Sequence, residues 1–93
     1  MTHDQYERYS DEYLRFDRVL TRTSNRSDLH AFNLLDRLVP GKRDMVSAAE
    51  HDEIWLDIPP DELAKVATED QIVELIRCGV RYDSGTDSLA MFV

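Results

Sequence analysis

The hydrophobic positions of this chain change period from one end to the other. Over residues 4–23, Tyr6, Tyr9, Tyr13, Phe16 and Leu20 recur at 3-4-3-4 spacing. That heptad rhythm places side chains on one stripe of a helix. Asp4/Arg8 and Asp11/Arg15 stand four apart with the acid on the N-terminal side, the orientation that supports a helix. Thr23-Ser24-Asn25 ends the run. Ser27 suits an N-cap and Asp28 a first turn, and Leu29, Phe32, Leu35 and Leu38 supply the apolar face of a second helix over 28–39, stopped by Pro40-Gly41. The short connection predicts an antiparallel helical hairpin.

Beyond Gly41 the period shortens. Residues 42–52 are ambiguous, with Met45, Val46, Ala48 and Ala49 suiting a short helix. Ile54, Leu56 and Ile58 then alternate, which predicts a strand over 53–58, ended by Pro59-Pro60. Residues 61–66 form a short helix after the prolines. Thr68-Glu69-Asp70-Gln71 is a capping box opening a helix that carries Ile72, Val73, Leu75 and Ile76 and stops at Gly79. Residues 80–83 and 88–92 read as two strands around the turn at 84–87. The expected fold is α+β, an N-terminal helical hairpin followed by a small three-stranded antiparallel sheet with two short helices. It is read as a single domain over 1–93, with a helical subregion at 1–43 and an acidic α+β subregion at 44–93.

Composition narrows the functional classes. The chain has 93 residues, 42% of them hydrophobic, enough for one small core. Its longest apolar run, 89–93, is too short to span a membrane, and its first residues lack a signal-peptide pattern. The lone Cys78 excludes an intrachain disulfide and fits a reducing compartment. These features predict a cytoplasmic protein. The formal net charge is −8, unevenly divided. Residues 1–43 hold eight basic and seven acidic side chains, residues 44–93 three basic and twelve acidic. The second half therefore repels nucleic acid and attracts a basic protein surface.

Chemical motifs are sparse. Gly41, Gly79 and Gly85 sit in no dinucleotide or phosphate-loop pattern, and no zinc-type cysteine pair or His-Glu-x-x-His motif occurs. His51-Asp52-Glu53 is the nearest approach to a metal cluster, but adjacent residues on an extended chain point to opposite faces. No enzymatic activity, metal or cofactor is expected. Cys78, at the negative end of its helix, reads as a buried packing residue. The pair of helices at 61–66 and 69–78 has a helix-turn-helix outline. Its second helix opposes Glu69, Asp70 and Glu74 to Arg77 alone, so direct DNA binding is not expected.

Four surface features point to binding. Tyr6, Tyr9, Tyr13 and Phe16 combine apolar area with polar tips and would anchor a partner or a homodimer, unless the stripe packs on helix 28–39. Trp55 would stand between Glu53 and Asp57 on the sheet face opposite Ile54, Leu56 and Ile58, an anchor for a basic partner unless the N-terminal helices cover it. The acidic series Glu50, Asp52, Glu53, Asp57, Asp61, Glu62, Glu69, Asp70, Glu74, Asp83 and Asp87 would meet a basic surface, with Glu53, Asp57, Asp61, Glu62, Glu69, Asp70 and Glu74 the candidate contacts, or merely solubilise this one. Arg15, Arg18, Arg22 and Arg26 stand 3-4-4 apart and call for acids such as Asp28 or Asp36 in this chain, or for another molecule.

Glu53-Ile54-Trp55-Leu56, the run Arg77-Cys78-Gly79-Val80-Arg81-Tyr82-Asp83 and the ending Asp87-Ser88-Leu89-Ala90-Met91-Phe92-Val93 resemble small phage- and prophage-borne proteins. The wider profile, short, acidic and without a cofactor motif, is similar to that of anti-CRISPR proteins. The resemblance implies a non-enzymatic inhibitor acting in the host-cell cytoplasm on a basic nucleic-acid-binding complex of host defence. That class shares no common motif, so it assigns no residue a role. The alternative is a homodimeric assembly module built on the N-terminal helix.

Overall fold

The computed structural model describes residues 1–93. One antiparallel sheet has the strand order β1-β2-β4-β3, with β1 at Val46–Glu50, β2 at Glu53–Leu56, β3 at Arg81–Asp83 and β4 at Ser88–Phe92. Around it stand α1 (His3–Arg8), α2 (Ser27–Leu38), α3 (Pro60–Val66) and α4 (Glu69–Arg77), with 3-10 turns at Ser10–Glu12 and Phe16–Arg18. The class is α+β, with four strands where three were expected. No helix is long and apolar enough to cross a membrane.

The second half follows its local signals. Pro60 occupies the first turn of α3, where its missing N–H costs nothing. The Thr68 hydroxyl caps α4 by accepting from the Gln71 N–H, while the Gln71 side chain accepts from the Thr68 N–H. At the other end Gly79 takes φ +97°, a region that disfavours any residue with a Cβ. Its N–H donates to Ile76 O and that of Val80 to Leu75 O, both at 3.0 Å. This is the pair of hydrogen bonds of a Schellman motif, sealed by the buried Leu75 and Val80.

Pairing places Leu56 beside Leu89 and Ile54 beside Met91, so both rows share one face of the sheet. That face closes on Leu34, Leu35, Leu63, Ile72, Leu75 and Ile76 to make the core.

Two expectations are corrected. Residues 4–23 form neither one helix nor half of a helical hairpin. α1 ends after two turns, Leu14 adopts φ 61°, and the chain then wraps over α4. Leu14 N–H donates to Ile76 O, and the tyrosines and Phe16 pack against the common core, to which α2 contributes, Phe16 meeting His30 of α2 with ring centres 5.9 Å apart. A helix this short has little intrinsic stability, so tertiary bonds decide the path. Residues 42–52 are not helical either. They carry β1 and a two-residue hairpin loop, His51-Asp52, in which His51 supplies the positive φ (55°) in place of the usual glycine. A smaller shift moves the start of α2, where Ser27 is already helical and Arg26 is the N-cap.

Candidate functional site

The sheet face opposite the core carries Glu50, Ala48, Glu53, Trp55, Ala90, Phe92, Arg81 and Asp83, by alternation from the paired rows. Trp55 lies on it as expected. Its side chains bind one another. Arg81 forms an ion pair with Glu53, and its guanidinium stacks 4.2 Å from the Phe92 ring centre. Trp55 Nε1–H donates to Asp83 Oδ2 at 3.1 Å, and Ala90 is fully buried between Trp55 and Arg81 on its flanking strands. The Asp83 carboxyl, which also accepts from the Thr86 hydroxyl and the Gly85 N–H, is held below its ordinary range, first of all by the indole hydrogen bond. The indole's polar tip is therefore occupied, and 57% of Phe92 remains open to solvent.

The other acids divide into two groups. Asp57 takes a two-pronged bond from Arg43 at 3.1 and 2.8 Å. Glu69 accepts from the Tyr9 hydroxyl at 2.8 Å and from the Gln5 amide, and these bonds hold its carboxyl below the usual range. Glu74 meets His30 Nε2 at 3.0 Å. By contrast Asp61, Glu62 and Asp70 are exposed and form no ion pair with a side chain, although Asp61 lies near the Met1 ammonium, which burial lowers to about 6. Asp44 and Asp52, at the two ends of the β1 hairpin, are also exposed and unpaired.

The arginines resolve differently from the pattern at 15, 18, 22 and 26. Arg18 and Arg77 share Glu12, at 2.8 and 2.7 Å, and the Arg77 hydrogen bond chiefly holds the Glu12 carboxyl low. Arg15 pairs with Asp17. Arg22 donates to the carbonyls of Val19 and Phe16 and lies 4.1 Å from the Phe16 ring centre. Neither Asp28 nor Asp36 is engaged by them. These bonds take the place of a helix in shaping residues 10–22.

Sequence reasoning missed two features. His30 is 2% exposed and aligns Thr23, imidazole and Glu74, with Thr23 Oγ1 3.3 Å from Nδ1. The outline is that of a hydroxyl–base–acid relay. Nδ1, however, already accepts the Thr23 backbone N–H at 3.1 Å, so the ring serves as a strut joining the 19–26 loop to α2 and α4. Spacing alone could not have found it, since the partners lie 7 and 44 residues away. The second feature is a cleft of about 480 Å³ beside the hairpin, walled by Tyr13, Leu14, Ile54, Met91 and Val93 with Gly79 and Cys78 alongside. Cys78 is buried, and that burial pushes its thiol up to about 12, so it is a packing group and not a nucleophile at neutral pH. No group of three or more His, Cys, Asp or Glu is arranged to hold a metal ion.

Comparison with known proteins yields no match to a family model, to a curated protein or to a solved structure.

Proposed function

We propose that this chain is a binding protein that docks anionic groups onto a basic, nucleic-acid-binding surface of a host defence complex and so occludes it, in the manner of an anti-CRISPR inhibitor. One observation carries the reading. In residues 44–93 both arginines are tied to carboxylates, Arg77 to Glu12 and Arg81 to Glu53, and Lys65 is the one cation without an acid. Asp44, Asp52, Glu62 and Asp70 meanwhile face solvent unpaired. The internal ion pairs therefore leave the outward field of this half negative. Such a field accelerates encounter with a cationic groove and excludes the nucleic acid that competes for it. The homodimer alternative loses its free stripe, because Tyr6, Tyr9, Tyr13 and Phe16 pack against the chain's own core.

The test is displacement of labelled DNA from purified CRISPR effector complexes of several types, alongside phage plaquing on strains that express them. The protein is expected to restore plaquing against at least one type and to displace its DNA. Its apparent affinity should fall about tenfold or more between low and high salt, because screening removes the long-range attraction. Joint replacement of Glu62 by glutamine and Asp70 by asparagine should weaken displacement severalfold while the far-ultraviolet spectrum stays unchanged. Glu69 and Glu74, which hold internal bonds, and Asp61, which faces the Met1 ammonium, are unsuitable for substitution. A salt-independent affinity, or no displacement from any complex, overturns the reading.

A further inference from the structure

The sheet has two edges of opposite character. β3, only three residues long, has α1 beside it, with His3 edge-on to Tyr82. β1 pairs with β2 alone, and all five of its residues are exposed. Which of its backbone groups are free follows from the hairpin. A two-residue loop makes Glu50 and Glu53 the closing hydrogen-bonded pair, and the pattern alternates from there. Ala49, opposite Ile54, therefore points its N–H and C=O away from β2, toward solvent.

Edge strands are ordinarily protected by short length, charged side chains, proline, bulges or a covering element. β1, Val46-Ser47-Ala48-Ala49-Glu50, has no lysine, proline or covering helix. Its one irregularity is the register shift between Val46 and Ala48, which leaves Ala48–Glu50 as a short regular ladder. The side chains there are small, so another backbone can approach closely.

We infer that β1 is a docking edge that accepts an extended, lysine- or arginine-bearing segment of a partner protein as a fifth strand. The inference rests on the binding function proposed above and names its contact. Charge selects the occupant. The hairpin carries Asp44, Glu50 and Asp52 against Lys42 and His51, the latter 3.7 Å from Glu50, and the chain as a whole carries −8, so a second copy brings like charge whereas a basic strand brings opposite charge. Main-chain bonds would supply affinity and the acids would choose the partner.

The probe is a labelled peptide of alternating lysine and valine, read by fluorescence anisotropy with the full chain. Two controls accompany it, the same peptide N-methylated at alternate amides and an alternating glutamate–valine peptide. Binding of the lysine peptide alone is expected. Ala49→Pro deletes the outward N–H without touching the β1–β2 ladder, and should weaken it at least tenfold. Ala49→Lys keeps that N–H, adds like charge at the edge, and should do the same even if the proline variant fails to fold. Equal binding by these variants, or by the N-methylated peptide, overturns the edge while leaving the acidic-surface reading intact, since displacement of DNA from the effector is scored separately. No binding of the lysine peptide by a chain that still displaces DNA has the same meaning. A concentration-dependent dimer lost on Ala49→Lys would make the second copy the occupant and overturn the proposal.

Discussion

Gly79→Ala tests how the N-terminal segment is locked to α4. A Cβ at Gly79 would lie 2.9 Å from Leu14 Cδ2, and the residue's φ is +97°. The backbone region costs a residue with a Cβ about 1–3 kcal/mol. Crowding against Leu14 adds about 1 kcal/mol, at the low end for overpacking because 62% of Leu14 is exposed and its side chain can give way. Reduced freedom of the unfolded chain returns about 0.4–1 kcal/mol. The expected loss is about 2 kcal/mol, read from urea unfolding followed by circular dichroism and Trp55 fluorescence. For a chain of this size that is a fall in melting temperature of roughly 10 °C. Leu14→Ala in the same background separates the two terms. It should recover the crowding term, about 1 kcal/mol, and leave the backbone term in place, so the double mutant is less destabilised than the sum of the singles. A Gly79→Ala protein within about 0.5 kcal/mol of wild type, or strictly additive behaviour, would refute the Leu14–Gly79 contact.

Leu75→Ala, at a fully buried position of α4, should cost about 2–5 kcal/mol in the same unfolding assay. The Cys78 thiol should resist iodoacetamide in the native protein at neutral pH and react only as the chain unfolds. Because the folded thiol titrates near 12 and the unfolded one near 9, stability should decline as pH rises through that window. The hydroxyls of Tyr6 and Tyr82 are also raised and add to the alkaline loss, so the part that Cys78→Ala removes isolates the thiol. Glu12, held low chiefly by Arg77, stabilises the fold above its ordinary titration range, and that contribution disappears as pH falls through its lowered value. Glu12→Gln should therefore be less stable than wild type near neutrality and converge with it on acidification, as followed by urea unfolding across pH.

The candidate site was legible in part. Trp55 and Glu53 fall on the face that alternation assigns them, because that rule is local to β2. Which carboxylates remain available was not legible. Glu53 is engaged by an arginine 28 residues on, Asp57 by one 14 residues back, Glu69 by a tyrosine 60 residues back, and no spacing rule reaches across such separations. β1 escaped notice for a related reason. Alanine and serine have weak strand preference, and the loop at 51–52 contains no glycine, so the strand forms because β2 offers it a partner.

What the chain determined alone are the features closed within a few residues: the capping box at Thr68, the proline start of α3, the glycine stop at 79, the alternation of β2 and the negative charge of the second half. The first four are settled by hydrogen bonds or sterics between near neighbours, the last by composition alone. What only the tertiary structure decided is the course of residues 10–22 and the division of acids into bonded and free. The same heptad of aromatics suits a helix or a wrapped strap. The strap holds because Leu14 N–H donates to Ile76 O, the Tyr9 hydroxyl to Glu69 and Arg77 to Glu12, contacts to α4 that exist only once the core has assembled.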